Sequence, residues 1–180
     1  MVNLLFRLFL AFNSTSLILV VYWIKTATTI EVVPPCILNP PNYVSYLLYI
    51  AGMLLLTYIS LVAAKYLDSD SIESASVIGI ESANNAFLPS YLGYFFVALD
   101  VPNNETLNFV YAMLFAFTFF SQTLYFNPVF LLFGYQFYNL TNVNQVKIFM
   151  ITRKKFKDPK QVIFPKLHRI NHFTFIDNEK

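Results

Sequence analysis

The chain has 180 residues, 57% hydrophobic and 18% aromatic, with only 12% charged and a formal net charge of +2. A soluble domain carries about a quarter charged residues. This composition, with a mean hydropathy of +0.54, therefore points to a small integral membrane protein. A single cysteine, Cys36, excludes an intramolecular disulfide, and Cys36, His168 and His172 are too scattered to form a metal site.

Residues 4–24 form a long apolar run with one early charge, Arg7. The run exceeds a signal-peptide core, is interrupted by Asn13-Ser14-Thr15-Ser16 and lacks an A-x-A cleavage site, so it reads as a retained transmembrane helix. Tyr22, Trp23 and Lys25 supply an interfacial anchor. The polar cluster is expected to hydrogen-bond across helix contacts, with pore lining as the alternative. Two Pro-Pro pairs in residues 26–42 make that connection extended; Cys36, between them, either packs under the loop or bridges subunits. Residues 43–64 contain no charge and form a second span closed by Lys65.

The segment 67–85 changes character, gathering Asp68, Asp70, Glu73 and Glu81. It reads either as a solvated amphipathic loop or short surface helix, or as an acidic docking surface for a basic partner, this chain's own tail included. A third, short span covers 86–101, with Pro89 suited to a first helical turn and a re-entrant helix as the alternative. A fourth covers 107–126, inside a stretch from Thr106 to Val146 without a charged residue. Its twenty residues reach about 30 Å as a helix, enough for a hydrocarbon core. Asn127-Pro128 then breaks the run, and these two residues are the expected hinge carrying membrane strain toward the tail.

Beyond residue 134 the pattern turns to strands. Tyr138 and its neighbours, an Asn-rich turn at 139–144 and the run Val146 to Ile151 predict a β-hairpin, with further strands at 161–164 and 172–176. Nine of the twelve Lys and Arg lie at or beyond Lys147, and Arg153, Lys154, Lys155 and Lys157 cluster. By the positive-inside rule the tail is cytoplasmic, and four crossings put both termini there beside the acidic loop. The expected fold is thus an α-helical integral membrane protein: four transmembrane helices over residues 1–134 and a basic tail with a small β-hairpin subdomain over 135–180. The basic cluster suits anionic lipid, an acidic soluble partner or, least of all, nucleic-acid phosphates. Partner contacts are expected at Arg153, Lys154, Lys155, Lys157, Asp68, Asp70 and Glu73. No catalytic, cofactor-binding or metal-binding motif is present, so the chain reads as a non-enzyme needing no cofactor.

The plan of short apolar spans, an FNPVFLLFGYQFY element (Phe126 to Tyr138) and a VKIFMITRKK strand (Val146 to Lys155) resembles the membrane subunit of the Kiwa anti-phage defence system, the KwaA family. The resemblance implies a multi-pass protein of the bacterial inner membrane that assembles as a homotetramer. It further implies that the protein senses envelope perturbation and recruits a soluble DNA-binding effector (KwaB-like) to its cytoplasmic face, with no direct nucleic-acid contact of its own. The rival readings are a small oligomeric channel or holin-like pore, suggested by Asn13–Ser16 and Ser121-Gln122-Thr123, and an accessory transporter subunit.

Overall fold

A computed structural model of the chain describes residues 2–30, 41–72, 77–86, 88–121, 127–159 and 162–177. The helices are α1 (Val2–Lys25), α2 (Asn42–Ala63, running on into a 3-10 turn Ala64–Tyr66), α3 (Leu88–Asp100), α4 (Asn104–Ser121) and the single turn α5 (Val129–Leu132). The strands are β1 (Ser69–Ile72), β2 (Val77–Ser82), β3 (Gln136–Asn142), β4 (Lys147–Thr152), β5 (Phe164–Arg169) and β6 (Thr174–Ile176).

All six strands form one mixed sheet in the order β1-β5-β6-β4-β3-β2; β4 and β6 run parallel and the other pairs antiparallel. Its two edge strands, β1 and β2, are separated in the chain only by residues 73–76. Five peptide steps reach about 18 Å at most, whereas the edges of a flat six-stranded sheet lie about 24 Å apart. The sheet must therefore curl. Its inner face holds Val77, Tyr138, Leu140, Met150, Phe164, Leu167 and Phe175, with Ile72 and Ile80 packed at the two edges.

The period-2 alternation of β3 and β4 sends the intervening residues to the opposite face. There Phe137 and Ile151, with Ile176 of β6, join Phe6, Leu10, Ala64, Leu67, Phe130 and Tyr135 in one core. That core is where helices and sheet meet. Above it α1 packs on α2, α3 and α4, and a second helical cluster unites Ile18, Val21 and Tyr22 with Ala98, Val101 and Leu107.

Four membrane-crossing helices with a hairpin tail are not what the chain forms. Among the described residues two helical stretches, Asn3–Lys25 and Asn42–Tyr66, are long and apolar enough to cross a membrane. With 13 residues, α3 spans about 20 Å, short of a ~30 Å hydrocarbon core. Helix α4 starts earlier than its apolar run, and Asn104, Glu105 and Asn108 dilute it. The expected hairpin does exist, as β3 and β4, but as the middle of a six-stranded sheet. Nor do the described residues of 67–85 form a surface helix: Ser69–Ile72 and Val77–Ser82 are the two edge strands. The strand expected at 161–164 starts at Phe164 and runs to Arg169, taking in His168.

Candidate interaction surface

The junction between helices and sheet is the most elaborated part of the molecule. The polar cluster of α1 faces inward, with Asn13, Ser14, Thr15 and Ser16 all buried. Ser14, Thr15 and Ser16 return hydroxyl hydrogen bonds to carbonyls of the preceding turn. The cluster also ties α1 to three other helices: Thr57 Oγ1 of α2 lies 3.2 Å from Asn13 Oδ1, Tyr91 of α3 donates to Ser14 O, and Thr15 Oγ1 lies 3.3 Å from the Tyr111 hydroxyl of α4. Pore lining is thereby without support from these four residues. Gln122 and Thr123 lie outside the described residues, as do Cys36 and Glu73.

The expected hinge belongs to the same network. Asn127 is 2% exposed; its Nδ2 donates to Thr57 Oγ1 at 3.0 Å and its Oδ1 accepts from Val129 N at 3.0 Å. Pro128 is the N-cap of α5, with φ −60° and ψ −20°, so it initiates a short helix and deprives no helix interior of a hydrogen bond. Thr57 has one proton for two acceptors, Met53 O at 2.9 Å and Asn13 Oδ1. Asn13 Nδ2, in turn, is buried without a partner among the described residues. Turning that amide over resolves both: Thr57 then donates to Met53 and accepts from Asn13 and Asn127.

The four basic residues expected to contact a partner separate into two roles. Lys154 Nζ pairs with Asp177 Oδ2 at 3.4 Å and sits 5.1 Å from the Phe164 ring centroid, so it anchors the tail internally. Arg153 is exposed and stacks on Tyr135 at 4.7 Å from the ring centroid. Lys155 and Lys157 are exposed beside it, on a segment pinned by Phe156, which packs on Tyr138 and Phe164. Burial raises the Tyr135 phenol above its ordinary range; the Arg153 guanidinium opposes that shift and the Asp177 carboxylate adds to it.

On the acidic side, Asp68 Oδ2 accepts from Asn3 Nδ2 of α1 at 2.8 Å, and Asp70 Oδ1 accepts from the amide of Ser71. Both stand at β1, which pairs with β5 in the tail through Ser69↔His168 and Asp70↔Leu167. The segment therefore meets the chain's own tail through backbone strand pairing, while the Asp68 and Asp70 carboxylates bind Asn3 and Ser71. The two histidines diverge: His168 Nδ1 faces Leu67 O at 3.3 Å, and His172 Nδ1 faces Arg169 Nη2 at 2.6 Å. Asp177, which directly follows the strand Thr174–Ile176, is one of the tail's acidic residues and carries no motif that marks it as functional in the sequence.

These features define an α+β protein in which an apolar helical layer caps a curled sheet and presents charge at their junction. The chain matches the family described as Anti-phage protein KwaA over residues 6–176 and belongs to it. Its role is accordingly in anti-phage defence, within the Kiwa system. No curated protein and no solved structure matches the chain.

Proposed function

We propose that the protein is a non-enzymatic scaffold and sensor of the bacterial inner membrane, with α1 and α2 crossing the bilayer. Both chain ends and the sheet then lie on the cytoplasmic side, where a soluble DNA-binding effector is recruited; homotetrameric assembly completes the reading. The observation that carries it is the outer surface of α2. Over its most apolar window only 22% of the residues are buried, against 56% for α1. Leu47, Leu55, Tyr58 and Ile59 are left uncovered, an arrangement that costs about 25 cal/mol per Å² in water and nothing in lipid. An open apolar groove of about 210 Å³ between Phe12, Leu19, Trp23, Gly52 and Leu56 continues that surface.

The single tryptophan supplies the test. Trp23 packs on Tyr49 at 5.1 Å, so its emission reports on the α1–α2 pair. In lipid discs, headgroup-proximal spin-labelled lipid should quench it more than aqueous iodide does; quenching by iodide alone overturns membrane insertion. Recruitment is tested separately, by capture of the soluble effector with full-length protein in discs. No capture by the wild-type chain would leave a membrane protein without the scaffold role.

A further inference from the structure

The two ends of the helical layer differ in charge. At the far end the exposed charges are Asp100, Glu105 and Lys25, the last already engaged, its Nζ donating to Val101 O at 2.7 Å. At the sheet end, exposed cations arrive from three separate segments: Lys65 from the 3-10 turn after α2, Arg153, Lys155 and Lys157 from the stretch after β4, and Lys166 from β5. Chain geometry brings them to one level. The 3-10 turn packs against β5, and Leu67 O meets His168 two residues from Lys166. Arg153 lies over Tyr135, which shares a core with Ala64 and Leu67. None of the five makes an ion pair among the described residues.

Opposing charge is present but displaced. Asp68 is bound to Asn3 and Asp70 to its own strand, and Asp158, next to Lys157 in the chain, is itself engaged. Apolar side chains flank the cations, with Leu5 62%, Tyr66 80% and Leu132 76% exposed. Cations ringed by exposed Leu and Tyr suit a surface that is anionic on one side and hydrocarbon on the other. An acidic protein or a nucleic acid would leave that apolar rim uncovered.

We propose that Lys65, Arg153, Lys155, Lys157 and Lys166 form a belt that binds the headgroups of anionic phospholipids. The proposal rests on the membrane reading above and adds the lipid class. The planar Arg153 guanidinium, held by Tyr135, presents paired donors to a phosphate, and the lysines act as point charges around it. Each basic residue near an anionic surface is worth about fivefold in binding, so three together are worth on the order of 100-fold.

The test uses full-length protein in discs of phosphatidylglycerol mixed with phosphatidylcholine, followed by gentle delipidation and mass analysis of the retained lipid. Wild type should retain phosphatidylglycerol preferentially, and Arg153→Ala/Lys155→Ala/Lys157→Ala should lose that preference. Lys155→Glu/Lys157→Glu, which leaves the Arg153–Tyr135 stack intact, should lose it too, guarding against misfolding of the triple variant. Lys147→Ala, at the opposite end of β4, should retain it. Equal retention of both lipids by wild type, unchanged preference in both belt variants, or displacement of the lipid by short duplex DNA would overturn the proposal. An alkaline wash separates the two levels: a chain that stays in the membrane without lipid preference refutes the belt alone, and one that washes off refutes the membrane reading.

Discussion

Lys154 Nζ lies 3.4 Å from Asp177 Oδ2, and the two ends of this pair are unequally placed: the carboxylate is fully buried while the lysine keeps 35% of its side chain exposed. Thr152 Oγ1 donates to the same oxygen at 2.9 Å, so Asp177 locks the last strand onto β4. The asymmetry fixes the order of mutational costs. Lys154→Ala strands a buried carboxylate and should destabilise by about 2–3 kcal/mol. Asp177→Asn leaves a lysine that can turn to water and should cost about 1 kcal/mol. The double variant should be more stable than Lys154→Ala alone, which thermal denaturation in lipid discs can check. A reversed order would mean that Asp177 is held mainly by its other contacts.

Tyr135 gives the junction a pH dependence. Its folded pKa is raised first by burial, with Arg153 lowering it and Asp177 raising it. A group whose folded pKa is raised contributes stability below its unfolded value, about 10 for a phenol, and loses it as pH rises through the folded value. Arg153→Ala removes the opposing guanidinium and should push the Tyr135 titration higher still. The difference in phenolate absorbance between each background and its Tyr135→Phe partner isolates one phenol among twelve. A shift downward in Arg153→Ala would show that the stacked geometry is not held in solution.

The turn between β3 and β4 holds one strained residue. Gln145 adopts φ 63°, while Asn142 Oδ1 accepts from the amides of Asn144 and Val146 at 2.9 Å each. Only glycine takes that backbone region without penalty. Gln145→Gly should therefore be neutral to stabilising by about 0.5–1 kcal/mol, and Gln145→Val destabilising by at least as much. Asn142→Ala should cost about 1 kcal/mol by freeing both amides. Melting temperatures of the three variants decide it.

Local pattern carried some of this fold and could not carry the rest. Apolar runs marked α1 and α2, and the alternation from Gln136 to Thr152 marked a hairpin, because each signal lies within one element. Pairing of Ser69 with His168 joins residues 99 apart, and no local periodicity reports such a contact. Near β2, a register irregularity between Val77 and Gly79 breaks the alternation of Val77, Ile78 and Ile80, so no strand period shows there. The basic cluster was legible as a cluster. That Lys154 turns inward while Arg153, Lys155 and Lys157 stay outside depended on Asp177, and the sequence gives no sign of that pairing.

The tie between α2 and α5 rests on Asn127 more than on Pro128. Asn127 spends both ends of its amide, one on Thr57 of α2 and one on the first turn of α5, whereas Pro128 only begins a helix that most residues could begin. Asn127→Ala should orphan Val129 N and weaken the tie to Thr57, costing about 2 kcal/mol. Pro128→Ala should cost under about 1 kcal/mol, mostly through a looser unfolded chain. Thr57→Val keeps shape but removes the oxygen that Asn13 and Asn127 share, so it should match Asn127→Ala, and the two losses should not add. If the network transmits strain from the helices to the sheet, phage protection in infected cells should fall with Asn127→Ala and Thr57→Val at temperatures where both remain folded. Protection equal to wild type under those conditions would leave the network a purely structural tie.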